Sequence, residues 1–201
     1  MKKNIRIVLF GPRNVGKTNV GIYLSKKLGI NYIDLDNILS EKFGSIEDIV
    51  TRHGWEYFRK TEFETLQDIL SKCRDKNTIL ILGGGTISHE FDKYREGNIN
   101  ILNKFQPSEK IMLIPFNDLS RNTKILTERT YKIIRPKDRK PPLTNMPPQK
   151  ETSYILRNRG KYYRDFASYV LYTEDMREYE VADKIIEIFH LTFGLPDDGS
   201  K

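Results

Sequence analysis

Short apolar runs recur along the chain, and most of them close on residues that turn it. Ile5–Phe10 is the first, mostly aliphatic and stopped abruptly by Gly11-Pro12. A continuous apolar run bounded by turn residues suits a strand buried on both faces of a parallel sheet. Thr78–Leu82, stopped by Gly83-Gly84-Gly85, and Ile111–Pro115 repeat the pattern, and Tyr32–Asp34 and Tyr169–Tyr172 are shorter versions of it. Between these runs the spacing becomes helical. Val20, Leu24 and Leu28 fall on one face of a helix from Lys17, and Gly29 follows as its C-terminal cap. A second helix is predicted over Phe58–Leu70, with Phe58, Phe63, Leu66, Ile69 and Leu70 as its apolar members. The last carries Val181, Ile185, Ile188 and Phe189. Strands alternating with helices predict an α/β fold: a five-stranded parallel sheet flanked by helices in three layers.

Two segments break the pattern. Tyr131 to Lys150 sets Lys132, Arg135, Lys137, Arg139, Lys140 and Lys150 against one acid, Asp138, and holds Pro136, Pro141, Pro142, Pro147 and Pro148. Those prolines forbid a regular helix through most of it. A long basic loop inside a compact domain suggests function. The tail from Gly194 to Lys201 reads as a loose end, leaving one domain over residues 1–193 with a lid at about 130–150.

At 201 residues the chain is long enough to bury one core without staples. Its 34 basic against 27 acidic residues, a net +7, favour anionic ligands such as phosphates, carboxylates or nucleic acid. Cys73 is the one cysteine, which excludes an internal disulfide and points to a reducing compartment. No apolar run approaches the roughly 20 residues of a membrane span. The segment before Gly11 is too short for a signal peptide, so a cytoplasmic location and no membrane partner are expected.

The strongest motif is Gly11-Pro12-Arg13-Asn14-Val15-Gly16-Lys17-Thr18, a full match to G-x-x-x-x-G-K-[ST]. It stands between a predicted strand and a predicted helix, the context the motif needs. Its glycines let successive N–H groups point inward at phosphate oxygens, and the helix that follows adds its positive end. Lys17 would reach the β- and γ-phosphates and the Thr18 hydroxyl would ligate Mg²⁺. A GTPase would carry an N-K-x-D base-reading motif, and Asn122-Thr123-Lys124-Ile125 is not one.

The acceptor side is less explicit. Asp34-Leu35-Asp36 sets two carboxylates at the end of the second strand, where ligands of open parallel sheets gather. Two acids capping the next helix would look the same. Phe58-Arg59-Lys60-Thr61-Glu62 places an arginine near a helix start, and Gly83-Gly84-Gly85 lets a ligand approach the backbone closely. Arg157 to Arg164 is a basic, aromatic helical stretch that fits either a solvated face or a nucleic-acid contact.

Taken in order, these pieces resemble the shikimate kinase family of small P-loop kinases with the nucleoside-monophosphate-kinase-like fold. The landmarks are the phosphate-loop motif, D-x-D at Asp34 and Asp36, F-R-x-x-E at Phe58 to Glu62, and G-G-G at Gly83 to Gly85. Lys140-Pro141-Pro142-Leu143 as a lid element, R-x-x-x-Y-R at Arg159, Tyr163 and Arg164, Thr173, and the helix start at Glu180-Val181-Ala182 complete them. The resemblance implies ATP-dependent, Mg²⁺-assisted phosphorylation of the 3-hydroxyl of shikimate by a monomer that binds no nucleic acid. It implies ATP binding by Asn14, Val15, Gly16, Lys17, Thr18, Asn19, Arg129 and Lys140, with Arg129 along the adenine. Thr18 and, through water, Asp34 would serve the metal. Asp36 would hold the acceptor hydroxyl, Arg59 and Arg159 would grip the carboxylate, and Gly84 and Gly85 would line the ring. Lys17 and Asp36 would be the catalytic pair.

The chain departs from the family at several points, among them a blurred adenine-side basic and proline pattern near Met176-Arg177-Glu178. Lys140 stands where the lid usually offers an arginine, although Arg139 is its neighbour. Asn14 replaces a small residue, and extra length falls around residues 86–110 and 130–139 and in the tail. Two other classes remain open on the residues alone. One is a kinase of the same fold acting on gluconate, a nucleotide or dephospho-coenzyme A. The other is a weakened nucleotide- or RNA-binding module.

Overall fold

The computed structural model describes residues 4–133 and 141–193, so Arg139, Lys140 and the tail from Gly194 lie outside it, as does the Phe189 side chain. Five parallel strands form one sheet in the order β2-β3-β1-β4-β5. They are β1 (Arg6–Phe10), β2 (Tyr32–Asp34), β3 (Thr78–Ile81), β4 (Glu109–Ile114) and β5 (Tyr169–Tyr172). Seven helices connect them: α1 (Lys17–Leu28), α2 (Leu35–Phe43), α3 (Ile46–Lys72), α4 (Asp92–Lys104), α5 (Leu119–Tyr131), α6 (Pro148–Phe166) and α7 (Glu178–Phe193).

The central strand shows why the apolar runs are continuous. Every residue of β1 is buried, and its side chains alternate between two cores. Val8 and Phe10 pack with Leu80, Met112, Leu35, Leu39, Phe58, Leu66, Tyr163 and Phe166 on the face covered by α2, α3 and the end of α6. Ile7 and Leu9 pack with Ile79, Ile81, Ile111, Leu113, Val20, Leu24, Val181 and Ile185 under α1 and α7. Gly29 caps α1 as expected, in the left-handed conformation at φ 62° with its N–H on the Ser25 carbonyl.

The helical pattern was incomplete. The predicted helix over Phe58–Leu70 is the second limb of α3, which turns sharply at Gly54 (φ 83°) after a first limb capped by Ser45. The region of extra length near 86–110 contains α4, whose buried face is Arg95, Asn98 and Leu102. Two of those three are polar, so its apolar signal is left to Leu102 and the half-buried Ile99 and Ile101. Helix α5 runs through Tyr131 and α6 begins at Pro148, so regular helix enters both ends of the interval expected as a lid.

The strand order fixes where a ligand can sit. The chain leaves β1 toward β2 and leaves β3 toward β4, on the opposite side of β1. A crevice therefore opens beyond the carboxyl ends of β1 and β3, the switch point of an open α/β sheet. Gly11 follows β1 there, and Gly83-Gly84-Gly85 follows Leu82, whose N–H is bonded to the Leu9 carbonyl at 2.9 Å.

Candidate active site

The loop after β1 bends through positive φ at Gly11 (140°), Asn14 (62°) and Gly16 (98°). Asn14 is the non-glycine residue at positive φ among the described residues, and asparagine tolerates that region better than most side chains. Its appearance in place of a small residue is thereby accounted for. Its Nδ2 also donates to Thr130 Oγ1 at 2.8 Å. Gly16 is the N-cap of α1, which has no side-chain cap and no acid in its first turn. The first N–H groups of α1 are thus left to an anion. Lys17 is buried and folds back over the loop, its Nζ donating to the carbonyls of Gly11 (3.1 Å) and Pro12 (2.9 Å).

Beside the loop, Thr18 Oγ1 donates to Asp34 Oδ2 at 2.6 Å. Asp34 Oδ1 accepts from the N–H groups of Asp36 and Asn37, so Asp34 is also the N-cap of α2. The helix-capping reading of the D-x-D pair therefore holds for Asp34, which also stands at the carboxyl end of β2. Burial, helped by the Asp36 charge, raises the Asp34 pKa, against the hydrogen bonds from Thr18 and Asn37 and the charge of Lys17. A hydroxyl and a carboxylate oxygen side by side suit a hard cation such as Mg²⁺, which takes few protein oxygens and keeps several waters. Among the described residues no cluster of three or more His, Cys, Asp or Glu side chains could hold a metal.

The three glycines after β3 are explained by what stands next to each. A Cβ on Gly83 would sit 3.3 Å from Asp36 Cγ, which places that carboxylate against the loop. A Cβ on Gly84 would meet Arg13, and one on Gly85 would lie within 3.1 Å of both Arg59 Nη2 and Arg159 Nη1. The two arginines, a hundred residues apart in sequence, thus converge on one point. Each is held from behind. Arg59 Nη1 donates to buried Glu62 at 2.8 Å, its guanidinium lies over Trp55 and Phe58, and Glu62 accepts from Thr86 Oγ1 at 2.7 Å. Arg159 Nη1 and the Tyr163 hydroxyl both donate to the Gly84 carbonyl. Burial lowers the Arg159 pKa, with Arg59 adding to it and Tyr163 opposing it.

Asn14, Gly16, Lys17, Thr18, Asn19, Asp34, Asp36, Arg59, Gly84 and Gly85 line one cleft of about 730 Å³. Arg159, on α6, is not among the lining residues, and it meets the cleft only through its approach to Gly85. Val15 turns its side chain into the core, leaving its backbone for the loop. Arg129, expected along an adenine, donates to the Asn14 carbonyl at 3.3 Å. Asn19 donates to Glu178 at 3.3 Å.

Two residues of the site were not anticipated. Arg13 lines the cleft too, and its pKa is lowered to about 10 by burial and then by Arg159 and Arg59. The motif leaves its position free, so no sequence signal marks it. His89 is buried behind the glycine loop, where burial and the charges of Arg59, Arg159 and Arg95 lower its pKa to about 2. It is neutral, accepting the Phe91 N–H on Nδ1 at 3.2 Å.

With this geometry in hand, comparison with known proteins is informative. Residues 13–190 match the family model described as shikimate kinase. The shikimate kinase of Caldanaerobacter subterraneus subsp. tengcongensis is 32% identical over 91% of this chain and 95% of its own. Shikimate kinase 2 of Enterobacter sp. is 32% identical over 82% of this chain and 84% of its own. Among solved structures, shikimate kinase from Acinetobacter baumannii in complex with shikimate superposes with a TM-score of 0.78 at 28% identity, covering 94% of this chain and 95% of that one. The chain belongs to the shikimate kinase family.

Proposed function

We propose that this chain transfers the γ-phosphate of ATP to the 3-hydroxyl of shikimate, giving 3-phosphoshikimate and ADP. The observation that carries this reading is the convergence of Arg59 and Arg159 at Gly85, in the same crevice as the phosphate loop and Asp36. Two guanidinium forks meeting at one point suit a carboxylate. The hydroxyl-bearing ring would then lie along Gly84 and Gly85, toward Asp36.

The roles follow from position. N–H groups from Asn14 to Asn19 cradle the phosphates, and Lys17 neutralises charge on the group in transit. Arg129 and Lys140 complete the nucleotide's surroundings in this reading, Lys140 lying outside the described residues. Asp36 accepts the hydrogen bond of the attacking hydroxyl and takes up its proton as the oxygen bonds to the γ-phosphorus and the bond to the ADP oxygen breaks. Such a transfer asks mainly for positioning and charge stabilisation. Thr18 and, through water, Asp34 would hold Mg²⁺, which would offset the phosphate charge. The same reading assigns the reaction to the cytoplasm, to a monomer and to the synthesis of aromatic amino acids. No described helix is long and apolar enough to cross a membrane.

A coupled assay of MgATP with shikimate, gluconate, nucleoside monophosphates and dephospho-coenzyme A tests this. Shikimate should be turned over far faster than the others. Preference for any other acceptor would overturn the reading.

A further inference from the structure

Arg13 belongs to the phosphate loop by sequence, yet its side chain joins the acceptor side. Its Cγ and backbone N lie 3.1 and 3.2 Å from where a Cβ on Gly84 would stand. Its Nη1 donates to the Pro141 carbonyl at 2.9 Å, where the described chain resumes. That returning segment is itself fastened, because Glu151 in the first turn of α6 accepts the N–H groups of Leu143 (3.3 Å) and Thr144 (3.1 Å). Arg13 also lines a second cavity of about 340 Å³ between the loop, α5 and α6. One side chain therefore touches the phosphate loop, the glycine loop and the segment leading into α6.

Its electrostatic surroundings are unbalanced. Arg159 and Arg59 repel its guanidinium, while Glu151 and Asp36 attract it. Glu62 is the buried partner of Arg59, whereas Arg159 is bonded to a neutral carbonyl. An anion received between Arg59 and Arg159 would relieve the repulsion that Arg13 feels from both.

We propose that Arg13 is a positioning residue that couples the two substrate sites: an acceptor carboxylate held by Arg59 and Arg159 steadies its guanidinium and, through its backbone, the phosphate loop. The proposal rests on the kinase reading above. Coupling of this kind is reciprocal, so nucleotide tightens acceptor binding by the same factor. Arg13 need not touch the reacting atoms.

The test is calorimetric titration of the whole chain with MgADP, with and without saturating shikimate, a pair that cannot react. Affinity for MgADP should rise about fivefold or more with shikimate, the lower end of typical couplings. Arg13→Met should bring that ratio close to one. Arg13→Gln, uncharged but able to donate to Pro141, should lose it as well, whereas Arg13→Lys should keep most of it. The ratio is the readout because a merely structural residue would weaken both titrations alike. If the Met variant does not fold, the Gln and Lys pair decides. A ratio of one in the unaltered chain, or an undiminished ratio in folded uncharged variants, overturns the coupling. Failure of the unaltered chain to phosphorylate shikimate would instead overturn the kinase reading.

Discussion

At the scale of single residues, two side chains are assigned to the chemistry. Lys17→Ala removes the cation above the phosphate loop, and Asp36→Asn removes the carboxylate beside Gly83. Each should lower kcat by about 10²–10³, the usual worth of one preorganised contact to developing charge. Circular dichroism should remain unchanged, since neither side chain belongs to the apolar cores. Steady-state kinetics on both folded variants checks this, and turnover near that of the unaltered chain would remove the roles. His89 makes a separate prediction about stability. Its pKa falls from 6.5 to about 2 on folding, so between those values the unfolded chain binds a proton that the folded chain refuses. Stability is therefore lost as pH drops below 6.5, by up to about 1.4 kcal/mol per pH unit from this one group. Urea unfolding at pH 7 and pH 5 should show that loss, and His89→Asn should reduce it. An equal loss in both proteins would mean that other groups carry it.

At the scale of elements, α4 braces the segment that follows the glycine loop through polar side chains. Asn98 Nδ2 donates to the Thr86 carbonyl at 2.8 Å, and Arg95 Nη1 to that of His89 at 2.9 Å. Thr86 in turn donates to Glu62, which holds Arg59. Asn98→Ala would leave a buried carbonyl without its donor, at a cost of about 1–3 kcal/mol. It should raise KM for the acceptor while leaving KM for ATP within about twofold, because the proposed function puts the loop it supports on the acceptor side. Equal change in both constants would contradict that role. The same element shows where sequence reading stopped. The strands were legible because burial on both faces forces unbroken apolar runs, and α1 because Val20, Leu24 and Gly29 mark a face and a cap. The inner face of α4 is polar at Arg95 and Asn98, which blurs its pattern. The limb of α3 before Gly54 is marked by Ile46, Ile49 and Val50 behind the Ser45 cap but is too short to stand out beside the longer limb that follows.

At the scale of the whole molecule, one crevice at the switch point collects groups from β1, β2, β3, α3 and α6. The phosphate loop was readable because all its parts are adjacent in sequence. The convergence of Arg59 and Arg159 was expected through resemblance alone, since nothing local makes them meet. Arg13 escaped both routes, its position being free in the motif and its role depending on how two loops pack. The net charge of +7 suits two anionic ligands and needs no nucleic acid to explain it. The central claim is that both arginines serve one carboxylate, and it is tested by equilibrium binding of shikimate and of its analogue lacking the carboxylate. Hydrogen bonds to charged groups contribute about 1.5–3 kcal/mol, so Arg59→Ala and Arg159→Ala should each weaken shikimate binding roughly 10- to 150-fold. The double variant should lose less than the sum of the two free energies. The analogue should bind the unaltered chain poorly and respond little to either substitution. If the analogue binds as tightly as shikimate, or loses as much affinity in the two variants, the arginines do not grip a carboxylate and the account fails.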